Sequence, residues 1–333
     1  MKKTIALILA LVLITAGFGA CGTGSGGETA TTTAPPATKT TVNAAVLKGP
    51  TGMGMAYLME QDANGKSTND YNFNVESAPD AVTAKLVSGE LDMAAIPTNA
   101  AATLYNKTGG KVKVIAVNTL GVLYILQKGG AVKSIADLRG KTIVRAGKGS
   151  TAEYVLNYIL SKNGLTVGKD VTVDYVSEHA EAVAQAKAKK YDLILLPEPF
   201  VTSLSSADSA FSVALDLQKE WEAVSSSPMT MGAIAVRAAF LEEHPEAINA
   251  FLEEYKVSVM YTNNTPADAA ALIEKHGIMT AAVAQKAIPN SNIVFIPGEQ
   301  MKTALSAFFG VLLEANPDSI GKKLPADDFY YEG

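Results

Sequence analysis

Cysteine is almost absent from this sequence, with Cys21 the single example among 333 residues. A lone cysteine excludes an intramolecular disulfide framework. Histidine is also scarce, and the three in the chain, His179, His244 and His276, do not have the spacing of a metal site. A nucleophile elbow of the form Gly-x-Ser-x-Gly is missing. The sequence therefore indicates no metal, no cofactor and no catalytic residues.

Positive charge is limited as well. Lys and Arg together number 28 against 33 Asp and Glu, which gives a formal net charge of −5 at pH 7. An acidic chain without basic clusters argues against a nucleic-acid partner. The composition is 48% hydrophobic and 18% charged, as in globular proteins, and the length suits two domains.

A long apolar run is also missing, because the apolar stretch at residues 5–18 is too short for a normal membrane span. It follows Lys2 and Lys3, and the small residues Gly19 and Ala20 come before Cys21, as in a bacterial lipobox. This resemblance implies a lipoprotein signal peptide at residues 1–20 and a lipid anchor on Cys21 at the extracytoplasmic face of the cell membrane. The alternative is an ordinary signal peptide with a chance cysteine. Residues 21–41, rich in Gly, Ser, Thr, Ala and Pro, are predicted to be a flexible tether.

The first structured feature is a turn, Gly49-Pro50-Thr51-Gly52, that follows an apolar strand and opens into a helix. Pro50 suits the first helical position, and Thr51 can cap the helix. The glycines allow a ligand to approach the backbone, and the free N–H groups of the first turn carry partial positive charge. We interpret this turn as one wall of a small-molecule site.

A second segment repeats the first. Gly147-Lys148-Gly149-Ser150-Thr151 again joins a strand to a helix, and the run at residues 191–198 echoes the run at 91–98. Such recurrence favours structural pseudo-symmetry, although tandem α/β units can show it by accident. Alternating strands and helices predict an α/β fold in which each lobe is a mostly parallel sheet flanked by helices.

The remaining chain is predicted to be helical with one strand, at residues 230–236, and cannot close a core of its own. We expect it to pack back on the first lobe, so that residues 42–122 with 233–333 form lobe 1 and residues 123–232 form lobe 2. The chain would then cross between the lobes twice, near residues 119–127 and 226–232, and two crossings make a hinge.

Four motifs carry a family resemblance: Gly49-Pro50-Thr51-Gly52, Lys85-Leu86-Val87-Ser88-Gly89-Glu90-Leu91-Asp92, Ile135-Ala136-Asp137-Leu138-Arg139-Gly140-Lys141 and Leu195-Leu196-Pro197-Glu198-Pro199. The chain from about residue 42 to residue 329 resembles the substrate-binding lipoproteins of ABC importers in the nitrate, sulfonate, taurine and thiamine-precursor group. This resemblance implies a type II periplasmic-binding-protein fold. It also implies that a monomer captures a small molecule between its lobes and delivers it to a membrane permease.

Ligands of open α/β sheets lie beyond the carboxyl ends of the strands, at helix N-termini. This rule selects a set of turn residues as ligand contacts: Gly49, Pro50, Thr51, Gly52, Thr98, Asn99, Gly149, Ser150, Thr151, Glu198 and Pro199. Other roles are open for several of them. Thr51, Ser150 and Thr151 can be helix caps alone, Asn99 can face solvent, and Glu198 can be a solvated carboxylate.

The charge of these turns leaves two kinds of ligand open. Helix N-termini favour anions, but the selected turns contain no arginine, Lys48 and Lys148 are the nearby cations, and Glu198 would repel an anion. We therefore expect a pyrimidine-like or other nitrogenous ligand, with Glu198 as hydrogen-bond acceptor. Sulfonate, taurine or nitrate is the alternative.

Four aromatic residues are candidates to stack on a ligand ring: Tyr57, Tyr124, Tyr154 and Trp221. Trp221 also fits a packing role. An enzyme of the same fold, from the thiamine-pyrimidine or menaquinone pathways, is a further alternative. The thiamine-pyrimidine enzyme carries a cysteine-rich segment that this chain lacks, and the signal sequence directs the chain out of the cytoplasm.

Overall fold

A computed structural model describes residues 39–77, 79–188 and 190–333. The predicted signal peptide at residues 1–20, the predicted lipidation site at Cys21 and nearly all of the predicted tether lie outside the described residues. The first strand begins at Thr41, so the last residue assigned to the tether belongs to a strand. No helix of the described ranges has the length and apolar character needed to cross a membrane.

The strands form two sheets and the helices cover both faces of each. The strands are β1 (Thr41–Leu47), β2 (Asp70–Glu76), β3 (Met93–Pro97), β4 (Val112–Thr119), β5 (Leu123–Lys128), β6 (Thr142–Ala146), β7 (Thr172–Val176), β8 (Leu193–Pro197), β9 (Phe211–Asp216), β10 (Gly232–Arg237) and β11 (Ile293–Pro297). The α-helices are α1 (Pro50–Met53), α2 (Ala56–Ala63), α3 (Pro79–Ser88), α4 (Thr98–Thr108), α5 (Thr151–Lys162), α6 (His179–Lys187), α7 (Phe200–Ala207), α8 (Leu217–Glu222), α9 (Ala238–Glu243), α10 (Pro245–Asn264), α11 (Pro266–Lys275), α12 (Ala281–Ala287) and α13 (Gly298–Ala315). Short 3-10 helices lie at Ile135–Leu138, Ile288–Asn290, Pro317–Ile320 and Asp327–Phe329.

The first sheet has the order β11-β4-β10-β3-β1-β2, and the second has the order β7-β6-β8-β5-β9. In the first sheet β1, β2, β3 and β4 run in one direction, while β10 and β11 run against them. In the second sheet β5 alone opposes its neighbours. The α/β prediction is confirmed, and the predicted mostly parallel sheets are mixed because β10 and β5 are inserted between parallel strands.

The two sheets repeat one topology. The order β2-β1-β3-β10-β4 in the first corresponds to β7-β6-β8-β5-β9 in the second. β5, the antiparallel strand of the second sheet, directly follows β4 of the first sheet, and β10, an antiparallel strand of the first sheet, directly follows β9 of the second. The chain therefore crosses between the sheets at residues 120–122 and again at residues 217–231. The strand order confirms the structural pseudo-symmetry predicted from the sequence.

Two strands were not predicted, and each extends a sheet at its edge. β9 lies beside β5, with Phe211 and Leu215 buried and the residues between them largely exposed, so it lacks an alternating pattern. β11 pairs with β4 and is a short apolar run between helices, where a strand and a buried helical segment have the same appearance in sequence.

Trp221, on the segment between the two sheets, fixes how α8 packs. Its ring is fully buried and meets Tyr158 of α5 at 4.7 Å and Phe308 of α13 at 5.5 Å between centroids. The indole nitrogen donates to the Ser227 carbonyl at 2.6 Å. Burial of a side chain this large contributes about 3 kcal/mol or more, which makes the connecting segment part of the core.

Candidate ligand-binding site

A cavity of about 680 Å³ lies between the two sheets and is lined by residues from both. The strands β1, β3 and β4 of the first sheet and β6, β7 and β8 of the second direct their carboxyl ends toward it. The antiparallel inserts β5 and β10 reach it with their amino ends, through Val122, Leu123 and Met231. This is where open α/β sheets place their ligands.

The first-sheet wall comprises Pro50 and Thr51 at the start of α1 and Asn99 in the first turn of α4. The Thr51 carbonyl accepts a hydrogen bond from Asn118 Nδ2 at 3.0 Å, which joins the turn to the end of β4. A Cβ on Gly232 would lie 2.5 Å from Asn118 Oδ1 and 2.6 Å from Thr51 Cγ2. Glycine is required at Gly232 because backbone and side chains converge there.

The second-sheet wall is built on the glycine turn between β6 and α5. Gly147 and Gly149 have φ angles of 73° and 76°, a left-handed conformation that residues with a Cβ adopt at a cost. The Gly149 N–H donates to Glu153 Oε2 at 2.6 Å, and its carbonyl accepts from the Tyr154 hydroxyl at 3.0 Å. These bonds hold the turn so that Ser150 lines the cavity at the N-cap of α5.

Arg145, the fourth residue of β6, brings a positive charge to the cavity. Its side chain is 1% exposed, and Nη2 donates to Ser150 Oγ at 2.7 Å and to the Gly147 carbonyl at 3.2 Å. Nε and Nη1 are buried without a hydrogen-bond partner among the described residues, and the nearest carboxylate, Glu153, is 3.9 Å from Nη1. Desolvation by burial lowers the pKa of Arg145. The site therefore contains an arginine whose hydrogen-bonding capacity is only partly used.

His179 and Phe200 form an aromatic pair in the same lining. His179 is the first residue of α6 and Phe200 the first of α7, and their rings lie 4.9 Å apart at 40°. Nδ1 of His179 is buried without a partner in the described part of the chain. Burial first, and the nearby Arg145 charge second, lower the pKa of His179, so its imidazole is neutral at pH 7.

The structure brings together one group of the predicted site residues: Pro50, Thr51, Asn99, Ser150 and Thr151. The others are adjacent in sequence but lie outside the lining: Gly49, Gly52, Thr98, Gly149, Glu198 and Pro199. Thr98, for example, is buried, and its hydroxyl donates to the Thr230 carbonyl at 2.8 Å. A ligand contact for these six stays a prediction that the geometry does not support.

Glu198 has a structural role in this arrangement. Its carboxylate is 2% exposed and accepts bonds from the Thr202 N–H at 3.1 Å and the Thr202 hydroxyl at 2.9 Å. Burial raises the pKa of Glu198, and bonds from Thr202 and from the Asn290 side chain oppose the rise. The carboxylate is thus directed at Thr202 and Asn290 and is not offered to the cavity.

The four aromatic candidates also lie outside the cavity lining. Tyr57 stacks on Tyr261 at 4.2 Å, and Trp221 is in the core. The Tyr124 hydroxyl donates to the Asn290 carbonyl at 2.7 Å. Arg145, His179 and Phe200 were not predicted as site residues. For Arg145 the sequence does contain a signal, since a charged residue inside a buried apolar strand is rare without a functional reason.

Two similar sheets that direct their carboxyl strand ends at a shared cavity are the arrangement of a two-lobed periplasmic-binding-protein fold. The family model described as "ABC transporter, phosphonate, periplasmic substrate-binding protein" matches residues 56–287, and the chain belongs to this family. No curated protein sequence is significantly similar to the chain.

Solved structures share the fold. An ABC transporter protein from Parabacteroides distasonis is 24% identical, with a TM-score of 0.76 over 88% of this chain and 99% of that one. The aliphatic sulphonate-binding protein SsuA from Escherichia coli is 16% identical, with a TM-score of 0.70 over 87% and 92% of the two chains. The nitrate-binding protein NrtA from Synechocystis is 17% identical, with a TM-score of 0.59 over 85% and 84%.

Family and fold together give the general role. The chain is an extracytoplasmic substrate-binding protein of an ABC importer, with a small-molecule ligand and a permease as its partners. Its family and its structural neighbours are transport-associated binding proteins, so the chain is not an enzyme of the same fold.

Proposed function

We propose that this protein captures a small organic anion in the cavity between its sheets and delivers it to the importer. The observation that carries the proposal is Arg145, buried in the cavity wall with Nε and Nη1 unpartnered in the described structure. Burying a guanidinium without full pairing is costly, so a ligand that completes its hydrogen bonds would bind with a large gain.

An oxyanion matches these unpartnered donors. Guanidinium groups bind carboxylate, phosphonate and sulfonate oxygens through paired N–H bonds, and such charge-assisted bonds are among the strong ones. The N-termini of α5 and α6, at Ser150 and Glu178, add partial positive charge from the same side. The family description and the sulphonate- and nitrate-binding neighbours support an anion as well.

A pyrimidine-like or other nitrogenous ligand is less well supported by this geometry. That expectation relied on Glu198 as an acceptor and on the lack of an arginine. Glu198 is engaged with Thr202, and Arg145 lies in the wall. Glu178 remains as a carboxylate of the lining, but it is exposed at the start of α6.

The test is isothermal titration calorimetry of the purified protein against methylphosphonate, phenylphosphonate, ethanesulfonate, nitrate and an aminopyrimidine. We expect one or more of the anions to bind. Arg145→Met should then weaken binding by about 30-fold or more, since removing one partner of a buried charge pair costs about 2–5 kcal/mol. Lys148→Gln, which removes an exposed cation outside the lining, is the matched control and should leave affinity within about threefold.

Two outcomes would contradict the proposal. The first is binding of the aminopyrimidine alone. The second is equal loss of anion affinity in the Arg145 and Lys148 variants, because this would assign the attraction to general surface charge.

We also propose that lipid on Cys21 holds the protein at the outer face of the cytoplasmic membrane as a monomer. The motif around Cys21 supports this, and two acyl chains are enough for stable anchoring. The protein should incorporate labelled palmitate in cells, and Cys21→Ser should abolish this incorporation. Absence of label from the parent protein would refute the anchor.

A further inference from the structure

We propose that the ligand is an organic anion with a flat aromatic body, held by Arg145 at its anionic end and by Phe200 and His179 along its ring. This inference rests on the proposed function and narrows the ligand class for the same cavity. It assigns Phe200 as a specificity-determining residue.

The size of the cavity is the first argument. Its volume of about 680 Å³ falls well inside the range of about 300–1,000 Å³ for sites that enclose drug-sized ligands. A bare nitrate or methylphosphonate ion would satisfy Arg145 and leave most of this volume to water. In this arrangement of the lobes, the cavity has room for an anion that carries a substantial further group.

The chemistry of the wall is the second argument. Apart from the polar edge around Arg145 and Ser150, much of the lining is apolar, and it includes Pro97, Val122, Leu123, Pro197, Phe200 and Met231. Burial of an apolar ligand group against such a surface is favourable, whereas a second charged group on the ligand would find no partner there.

The Phe200 ring is the third argument. It is 37% exposed, which is high for a phenylalanine, and it lies in the cavity lining at 4.9 Å from the neutral His179 ring. A tilted pair of rings offers both a face and an edge to a third ring, the arrangement that aromatic groups prefer. A flat body on the ligand would cover Phe200 and complete this cluster.

The charges of the wall argue against short zwitterions such as taurine or 2-aminoethylphosphonate. Among the described lining residues, the carboxylate is that of Glu178, which is exposed at the N-cap of α6. A ligand ammonium group would lose its water without gaining a buried acceptor. The cavity should therefore prefer a ligand whose body is uncharged.

Calorimetry on the purified protein tests the inference with three phosphonates that share one anionic group: phenylphosphonate, methylphosphonate and 2-aminoethylphosphonate. We expect phenylphosphonate to bind at least tenfold more tightly than the other two. Phe200→Leu, which keeps an apolar side chain but removes the ring, should reduce phenylphosphonate affinity about tenfold and leave methylphosphonate affinity unchanged. Val213→Ala, at an exposed apolar residue of β9 outside the lining, is the control and should change neither affinity.

The outcomes separate this inference from the proposed function. Equal affinities for the three phosphonates, or an unchanged phenylphosphonate affinity in Phe200→Leu, overturn the aromatic ligand while anion binding stands. Binding of benzyl alcohol as tightly as phenylphosphonate removes the need for an anion, and it overturns the proposed function together with the inference.

Discussion

At the scale of single residues, Arg145 places ligand binding and folding stability in opposition. The side chain is buried, yet Nε and Nη1 have no partner in the described structure. A well-packed apolar residue at such a position is often neutral or stabilising, because it removes the desolvated charge. The ligand affinity of the site thus depends on the Arg145 side chain, which does not give the folded protein its greatest stability.

Arg145→Met should therefore weaken anion binding strongly without unfolding the protein. Without ligand, we expect the free energy of unfolding of the variant to differ from that of the parent by between a decrease of about 1 kcal/mol and an increase of about 2 kcal/mol. The hydrogen bonds to Ser150 and Gly147 are lost, but the buried charge is removed as well. Urea denaturation followed by circular dichroism measures this. A loss of more than about 3 kcal/mol would show instead that Arg145 is a structural residue.

Glu60 predicts a pH dependence far from the cavity. Hydrogen bonds from Lys275 first, and then from Asn64, lower the pKa of Glu60 to about 2, from 4.5. Lys275 Nζ lies 2.6 Å from Oε2 and links α2 to α11. Because the folded-state pKa is depressed, this stabilisation is fully present above about pH 4.5 and is lost as the pH falls toward about 2.

Glu60→Gln makes this visible. The parent protein should be more stable than the variant at pH 7, and the difference should shrink steadily between pH 4.5 and pH 2. Chemical denaturation at four pH values across this range measures the difference. If the difference stayed constant with pH, Glu60 would have the same pKa in the folded and unfolded states.

The sequence indicated part of the site at this scale. Thr51, Ser150 and Thr151 were found because a turn that opens a helix has a recognisable composition. Arg145 was not predicted because it is a strand residue two positions before the turn at Gly147, and yet it lines the same cavity. Phe200 follows the predicted contact Pro199 directly, but sequence does not show in which direction a helix turns its first side chain.

At the scale of elements, Gly232 at the start of β10 shows how closely β10 packs against β4 and α1. Gly232→Ala would place a Cβ against Asn118 Oδ1 and Thr51 Cγ2, both nearer than 3.0 Å. Overpacking of this kind typically costs about 1–3 kcal/mol. Gly310→Ala, inside α13 with no heavy atom within 4 Å of the new Cβ, should instead stabilise by about 0.5–1 kcal/mol.

Thermal denaturation of the two alanine variants measures this contrast. We expect opposite shifts of the melting temperature, downward for Gly232→Ala and upward for Gly310→Ala. A Gly232 variant as stable as the parent would mean that Asn118 and Thr51 move aside without cost.

Elements with strong local signals were predictable, and two of the edge strands, β9 and β11, were not. β3 and β8 are continuous apolar runs after a turn, and they were recognised. β9 and β11 form strands by pairing with β5 and β4, which are distant from them in sequence. Neither β9 nor β11 has a local sequence pattern that marks it as a strand. Strand formation at these two edges depends on tertiary contacts that a local sequence pattern does not reveal.

At the scale of the whole molecule, the two crossings between the sheets suit a hinge, and we propose residues 42–122 with 233–333 and residues 123–232 as the two lobes. Gln218 Oε1 accepts from the Gly121 N–H at 2.8 Å, so the two crossing segments are bonded to each other. Two crossing segments that are bonded to each other can act as a hinge about which the lobes rotate as rigid bodies.

A bound anion that touches both walls should shift the lobes toward a closed arrangement, in proportion to its preference for that state. We expect the radius of gyration from small-angle X-ray scattering to decrease at saturating phenylphosphonate and to stay constant in Arg145→Met under the same conditions. An unchanged radius for the parent protein with bound ligand would refute the hinge.

The positions of β5 in the second sheet and β10 in the first determine how much of the chain is needed to form the site. A nascent chain that ends at Asp216 contains β5 to β9, the whole second sheet, but it lacks β10, which lies between β3 and β4. The first sheet is then left in two pieces with unpaired edges. Since Met231 is part of the cavity lining, more than two thirds of the chain must be present before the lining is complete. Ligand binding therefore depends on strands that the topology brings together from distant parts of the sequence.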